Sequence, residues 1–351
     1  MADLEWAASK GFMNTSIIKP HPLTLGQTVA LVAPASAPNE PDRVRFAMDI
    51  IQSFGFRVKP GAHVFDRAGY LAGSDVDRAA DVNRMFADDS VDAIFCLRGG
   101  YGASRLLPLL DYDLIRQHPK VFLGYSDITS LHMALYARTG LVTFHGPIAA
   151  QSFTAYTLAE FKKILFGAVI PEFKPMLLAA PPPFEKREGL AEKDNRLIPL
   201  ITGKAQGRLL GGNLTLLAHL CGTPYLPDFS GAILFLEDVG ESYYSIDRDL
   251  TQLWLAGVFD QIKGVVFGKF TDISPGNWLQ NRPLEDILAE RCRAANIPAI
   301  AGMMIGHIDD QATLPVGCMA ELDVDAGTLT LMESPTQIYR FGLRPQNDRP
   351  G

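Results

Sequence analysis

The chain has 351 residues, 47% of them hydrophobic and 20% charged, with Lys+Arg 32 against Asp+Glu 39 for a net charge of −7. That length suits roughly two globular domains, and the mild acidity argues against a nucleic-acid binder, which normally presents a basic face. No apolar run is long enough to span a bilayer.

The first stretch, "MADLEWAASKGFMNTSIIKPHPL", lacks a basic flank followed by a sustained apolar region, so it does not read as a secretory signal. It reads as an extension over residues 1–23, poorly ordered up to about Ile17, and the default location is the cytoplasm. "QTVALVAPAS" is then a buried strand feeding a loop, and "PDRVRFAMDIIQSFGF" sets Val44, Ala47, Met48, Ile51 and Phe54 at helical spacing. Ser74 is placed to cap a helix whose first turn carries aspartates. "VDAIFCLRGG" is a strand ending in a Gly pair, "ASRLLPLL" and "YDLIRQH" are short helical pieces, and "KVFLGYS" is a strand followed by a helix to Thr139. "LVTFHGP" closes the half as another strand. Strands separated by helices imply a parallel sheet with ligands bound beyond the carboxyl ends of the strands. Three loops fall there, Ala33–Pro38, Arg98–Gly102 and Gly124–Asp127.

From residue 167 to 206 the texture changes to a Pro- and charge-rich connector with strand character near "RLIPLITG". The second half offers a strand, Gly pair and helix in "GRLLGGNLTLLAHLCGT" and a strand ending in acids in "GAILFLEDVGE". An amphipathic helix follows with Ile246, Leu250, Leu253, Trp254 and Val258 on its apolar side. "IKGVVFGKF" is a strand, "PLEDILAERCRAANI" a helix, and "PAIAGMMIGH" a strand running into a loop. "CMAELDVDAGTLTLME" alternates on both sides of Asp-Ala-Gly and reads as a hairpin. The division is therefore a 24–166 N-terminal domain, the connector, a 207–345 C-terminal domain and a 346–351 tail. Cys96, Cys221, Cys292 and Cys318 are far apart, without a Cys-x-x-Cys pair, and are expected to be reduced, buried thiols.

Serine is a weak nucleophile until a base activates it. Ser126 sits at a strand-to-helix corner, which resembles the nucleophile elbow in mechanics although Asp127-Ile128 breaks the Gly-x-Ser-x-Gly form. The bland alternative is a serine that merely caps the following helix. The backbone N–H of Asp127, at the helix start, would face a developing oxyanion, and the Gly99-Gly100 turn could supply a second donor. Arg98 could hold a carboxylate or form a structural ion pair. His145 and His307 end strands or apolar runs and are the two candidate bases. Glu237 leaves a buried strand and could orient an imidazole, with Asp238 and Glu241 as rivals. Neither a phosphate-binding loop nor metal-ligand spacing is visible in the sequence, so no metal and no cofactor is expected.

Taken together, "VAPAS", "RGGYGASRLLPLLDYDLI", "FLGYSDITSLHMALYARTGLVTFHGP", "GRLLGGNLTLLAHLCGTPYLPD", "ILFLEDVGE" and "GHIDDQATLPVG" make the chain resemble the LD-carboxypeptidases, the muramoyltetrapeptide carboxypeptidase family of serine peptidases, from about Leu25 to Leu343. The resemblance implies an α/β fold: a flavodoxin-like or Rossmann-like parallel-sheet domain and a C-terminal barrel-like α/β domain with the site between them, in a homodimer. Carried over by motif, Ser126 is the nucleophile, Glu237 the orienting acid and His307 the base, with an oxyanion hole from the backbone of Gly100 and Asp127. The implied reaction, through an acyl-enzyme, releases the terminal D-alanine of a murein tetrapeptide from its L-Lys or diaminopimelate residue. The setting would be cytoplasmic peptidoglycan recycling. Arg98 is the expected partner of the D-alanine carboxylate. Two other readings stay open: a peptidase of the microcin C self-immunity type that cleaves a peptidyl-nucleotide with the same triad, and a non-catalytic small-molecule binding protein on the same fold.

Overall fold

The structure, a computed structural model, describes residues 16–166, 173–182, 196–275 and 282–337. Most of the expected N-terminal extension, much of the Pro-rich connector and the tail lie outside the described residues.

Two α/β domains are built around two sheets. The first sheet contains β1 (Thr28–Val32), β2 (Arg57–Pro60), β3 (Ala93–Cys96), β4 (Val121–Gly124) and β5 (Thr143–His145). β3 and β4 are wholly buried, as continuous apolar runs in a parallel sheet should be, and β5 is buried too although it carries Thr143 and His145. The intervening helices are α1 (Asp42–Ser53), α2 (Asp75–Ala87), α3 (Tyr112–Gln117) and α4 (Thr129–Thr139), with α5 (Ala155–Leu165) after β5. Ser74 caps α2 by accepting the N–H of Asp77 at 3.1 Å. α1 buries Val44, Ala47 and Ile51, whereas Met48 and Phe54 are only partly covered.

The second sheet contains β6 (Met176–Leu178), β7 (Ile198–Ile201), β8 (Lys204–Asn213), β9 (Ile233–Val239), β10 (Gly264–Thr271) and β11 (Ala299–Ala301). After β12 (Leu314–Val316) it adds β13 (Met319–Asp323) and β14 (Thr328–Leu331). The order β6-β14-β13-β8-β9-β10-β11-β7 makes it an eight-strand mixed sheet with a parallel centre. Its helices are α6 (Leu214–Leu220), α7 (Tyr243–Leu255), α8 (Val258–Gln261) and α9 (Leu284–Ala295). Trp254 departs from the apolar stripe expected for α7: it is 43% exposed and lies under the Arg291 guanidinium, 4.6 Å from its ring centroid.

Three connections cut across the sequence divisions. Within the expected extension, Ile18 bridges to Leu141, and buried Leu23 donates its N–H to Leu165. The connector contributes β6 and β7, the two edges of the second sheet. β12 leaves the second half of the chain to pair antiparallel with β5, so the first sheet runs β12-β5-β4-β3-β1-β2. The chain therefore steps from the second sheet at β11 to the first at β12 and back at β13. In the first sheet the strand order reverses at β1 and β3, which opens a crevice beyond their carboxyl ends.

Candidate active site

β4 delivers the corner. Tyr125 is fully extended, and Ser126 then takes φ +66° before a short 3-10 turn, Ser126–Ile128, leads into α4. A non-glycine residue in this left-handed region costs on the order of 1–2 kcal/mol, so the surroundings must hold it. The N–H of Ile128 reaches the Tyr125 carbonyl at 3.3 Å. Buried His132 reaches the Gly124 carbonyl at 2.8 Å, and the Asp127 carboxylate accepts the N–H of Ala103 at 2.7 Å. Burial pushes the Asp127 carboxyl up to about 6, against the opposing pull of that N–H and of Arg78. Gly99 closes over the corner: a Cβ there would lie 2.9 Å from the Ser126 Cβ. Ser126 is not the cap residue here: the N-cap is Tyr125 for the short turn and Ile128 for α4, and the Ser126 hydroxyl is turned to His307 instead.

Its partner comes from 181 positions along the chain. Ser126 Oγ stands 3.0 Å from His307 Nε2, and His307 Nδ1 donates to Glu237 Oε2 at 2.7 Å. A carboxylate only accepts, so the bond to Glu237 fixes the tautomer with Nδ1–H and leaves Nε2 free to take a proton from the serine. The Glu237 side chain is 0% exposed and that of His307 19%. Desolvation pushes the Glu237 carboxyl up, and the His307 hydrogen bond opposes it. Gly306 permits this approach, since a Cβ there would lie 2.9 Å from both Cβ and Oε2 of Glu237. The Tyr125 ring packs on the imidazole with centroids 4.8 Å apart.

The other expected residues resolve as follows. Asp127 follows the serine in the first turn after the corner, and Gly100 lies on the Arg98–Gly102 turn, where Gly99 is the glycine against Ser126 and Ser36 is the side chain nearest Gly100. Arg98 Nη1 donates to the Ala37 carbonyl at 3.1 Å, and its guanidinium lines a 300 Å³ pocket with Pro38, Arg43 and Ile148. Ile148 also borders a 490 Å³ cleft that contains His307, Tyr125, Gln151, Asp272 and Asp309. His145, the rival base, is wholly buried between Tyr125 and Phe235, and burial holds it neutral, well below the usual histidine range. Asp238 is committed elsewhere: it accepts Asn213 Nδ2, the Thr215 hydroxyl and the N–H of Val239, all at 2.8 Å. Cys96, Cys292 and Cys318 are buried thiols and Cys221 is half-buried. Among the described residues, the group spaced to hold a metal is His63, Asp66 and Asp77, in and just after the β2–α2 loop, where His63 Nδ1 already bonds Asp66 at 2.7 Å.

Sequence reasoning missed the strut between the domains. Thr129 Oγ1, three residues after the serine, accepts the N–H of Asn213 at 3.0 Å, and the Asn213 side chain reaches Asp238, next to Glu237. The Asn213 side chain also caps α6, and that local signature was the available clue.

Residues 29–146 match the LD-carboxypeptidase N-terminal domain and residues 206–322 the LD-carboxypeptidase C-terminal domain. The chain belongs to the LD-carboxypeptidase family. A probable murein peptide carboxypeptidase of Bacillus subtilis is 37% identical over 313 residues, which is 89% of this chain and 94% of that protein. The microcin C7 self-immunity protein MccF of Escherichia coli is 29% identical over 89% of this chain and 95% of its own length. A solved structure of MccF superposes with a TM-score of 0.81 at 27% identity, covering 91% of this chain and 99% of that one. The crystal structure of a muramoyltetrapeptide carboxypeptidase from Oxalobacter formigenes gives 0.71 at 31% identity, over 87% and 98%. No helix among the described residues of this LD-carboxypeptidase family member is long and apolar enough to cross a membrane.

Proposed function

We propose that this protein is a serine LD-carboxypeptidase that releases the terminal D-alanine of murein tetrapeptides during cytoplasmic peptidoglycan recycling. The observation that carries the reading is the hydrogen-bonded series Ser126–His307–Glu237, assembled across both domains at 3.0 and 2.7 Å. Support for the substrate comes from the murein peptide carboxypeptidases among its relatives.

Ser126 Oγ attacks the carbonyl of the L-centre while His307 Nε2 takes its proton, and Glu237 stabilises the imidazolium that results. The N–H groups of Gly100 and Asp127 receive the oxyanion. His307 then passes the same proton to the departing D-alanine amine, and water repeats the sequence on the acyl-enzyme. Arg98 binds the D-alanine carboxylate: its Nη2 lies 3.7 Å from where a Cβ on Gly100 would stand, beside the oxyanion turn.

The test is D-alanine release from L-Ala-γ-D-Glu-meso-diaminopimelate-D-Ala, with Ser126→Ala and Glu237→Gln alongside. Ser126→Ala abolishes release, and Glu237→Gln lowers kcat by roughly 10²–10⁴, because it disturbs the base rather than the covalent bond. Wild-type protein that leaves every murein peptide intact yet cleaves a peptidyl-nucleotide would move the assignment to the self-immunity reaction, the second reading favoured by the likeness to MccF.

A further inference from the structure

We infer that Tyr125 is a positioning residue for His307, its ring fixing the imidazole on the Glu237–Ser126 axis and stabilising the imidazolium formed during each proton transfer. The inference rests on the roles assigned above to Ser126 and His307.

Two hydrogen bonds hold the imidazole, one at each nitrogen. The Cγ–Cβ bond and these two hydrogen bonds leave the ring only small rocking motions about the Nδ1–Nε2 line, which a packed neighbour damps. Tyr125 is that neighbour, with ring centroids 4.8 Å apart and planes inclined by 56°. The side chain is suited to the task. Tyr125 is 9% exposed and sits between the fully buried β4 and the strained Ser126, so the ring and the serine hydroxyl leave one rigid piece of backbone. Whatever positions the nucleophile also positions the ring that steadies its base.

The contact has an electrostatic consequence. A cation over the face of an aromatic ring, within about 6 Å of its centroid, is attracted by the ring quadrupole, and the 4.8 Å between the two centroids falls within that range. In acylation one proton leaves Ser126 Oγ for His307 Nε2 as the O–C bond forms, and it passes to the leaving amine as the C–N bond breaks. The imidazolium exists only between those events, so the ring favours the tetrahedral states over the resting enzyme. The other charged or titratable groups around His307 are Glu237 on β9, Asp309 on its own loop, Asp272 after β10 and buried His145 on β5. Burial, with Glu237 and Asp309 nearby, pushes the Tyr125 phenol up, so the ring acts as a neutral π face.

The experiment replaces Tyr125 by Phe, and then by pentafluorophenylalanine, which keeps the shape and withdraws electron density from the ring face. Two readouts are taken across pH: the rate at which a fluorophosphonate labels Ser126, followed by intact mass, and kcat and KM for D-alanine release. Tyr125→Phe stays within about threefold of wild type, because the ring is kept. The pentafluoro variant loses about tenfold in labelling rate and in kcat with little change in KM, and the acidic limb of its profile moves to lower pH. Should that variant fail to fold, 3,5-difluorophenylalanine gives the same reading at smaller amplitude. Equal rates and coincident acidic limbs in wild type, Phe and fluorinated variants would overturn the inference. Wild-type protein that is labelled but releases no D-alanine would remove the substrate assignment, and the labelling series would still decide the role of Tyr125. Wild-type protein that is not labelled would overturn both.

Discussion

Ser126 holds φ at +66° without the freedom of a glycine, and the corner is stabilised by its neighbours rather than by its own conformational preference. Strain kept at a reactive residue is released when the residue is changed to suit the backbone. Ser126→Ala retains a Cβ in the left-handed region, whereas Ser126→Gly does not. The glycine variant should therefore be the more stable of the two by about 1 kcal/mol, net of the entropy it adds to the unfolded chain. Paired urea unfolding curves of these two variants measure the difference, and a glycine variant no more stable than the alanine one would show that the corner is relaxed. The sequence marks this residue well, since an apolar run broken by Gly-Tyr-Ser-Asp is a local signal. The value of φ is not local: it depends on Gly99, which reaches the corner from the end of another strand.

At the level of elements, the site depends on how α4 and β8 meet. α4 is buried almost all round, from Thr129 to Leu135, because it packs on β5 on one side and on β8 and α6 on the other. The strut Thr129–Asn213–Asp238 crosses this junction and ends beside Glu237. Removing the Asp238 carboxylate leaves three donors without their acceptor, Asn213 Nδ2 and the N–H groups of Thr215 and Val239, while the Thr215 hydroxyl keeps Asp249 at 3.2 Å. Asp238→Ala should cost about 2–4 kcal/mol and lower kcat more than Thr129→Ala does, as thermal denaturation beside steady-state kinetics would show. A stable, fully active Asp238→Ala would deny the strut any part in placing Glu237. This was the least legible part of the site. Strand-end logic leaves His307 beside His145, and Glu237 beside Asp238 and Glu241; the coordinates bring His307 to Glu237 and give Asp238 its own donors. β12 was equally hidden, because three residues carry no periodicity and the partner, β5, lies about 170 positions earlier. Trp254 followed the helical period and is nonetheless 43% exposed, with the Arg291 guanidinium over one face of its ring.

Across the whole molecule, buried titratable groups set the response to pH. Burial lowers His132 to about 4 and holds His145 well below the usual histidine range, so below about 6.5 the unfolded chain binds protons that the folded chain refuses, and stability falls as the solution becomes acidic. Asp127 acts in the opposite sense. Between about 4 and about 6 the folded chain keeps a proton that the unfolded chain has released, so its contribution is lost as pH rises through that window. Asp127→Asn removes the opposing term. The melting temperature of the variant relative to wild type should therefore rise from pH 4 to pH 7, by the equivalent of about 2 kcal/mol. A difference that stays constant with pH would mean that Asp127 titrates as it does in the unfolded chain.

β12 has one more consequence. The loop that carries His307 leaves one sheet at β11 and is anchored in the other at β12, as a bridge deck rests on both banks of a river. Cutting the backbone between Asp309 and Leu314 would spare every rung of both ladders, yet one abutment of the span would be gone. The imidazole would then hang from the β11 side alone, and the hydroxyl it serves would stand on the far bank.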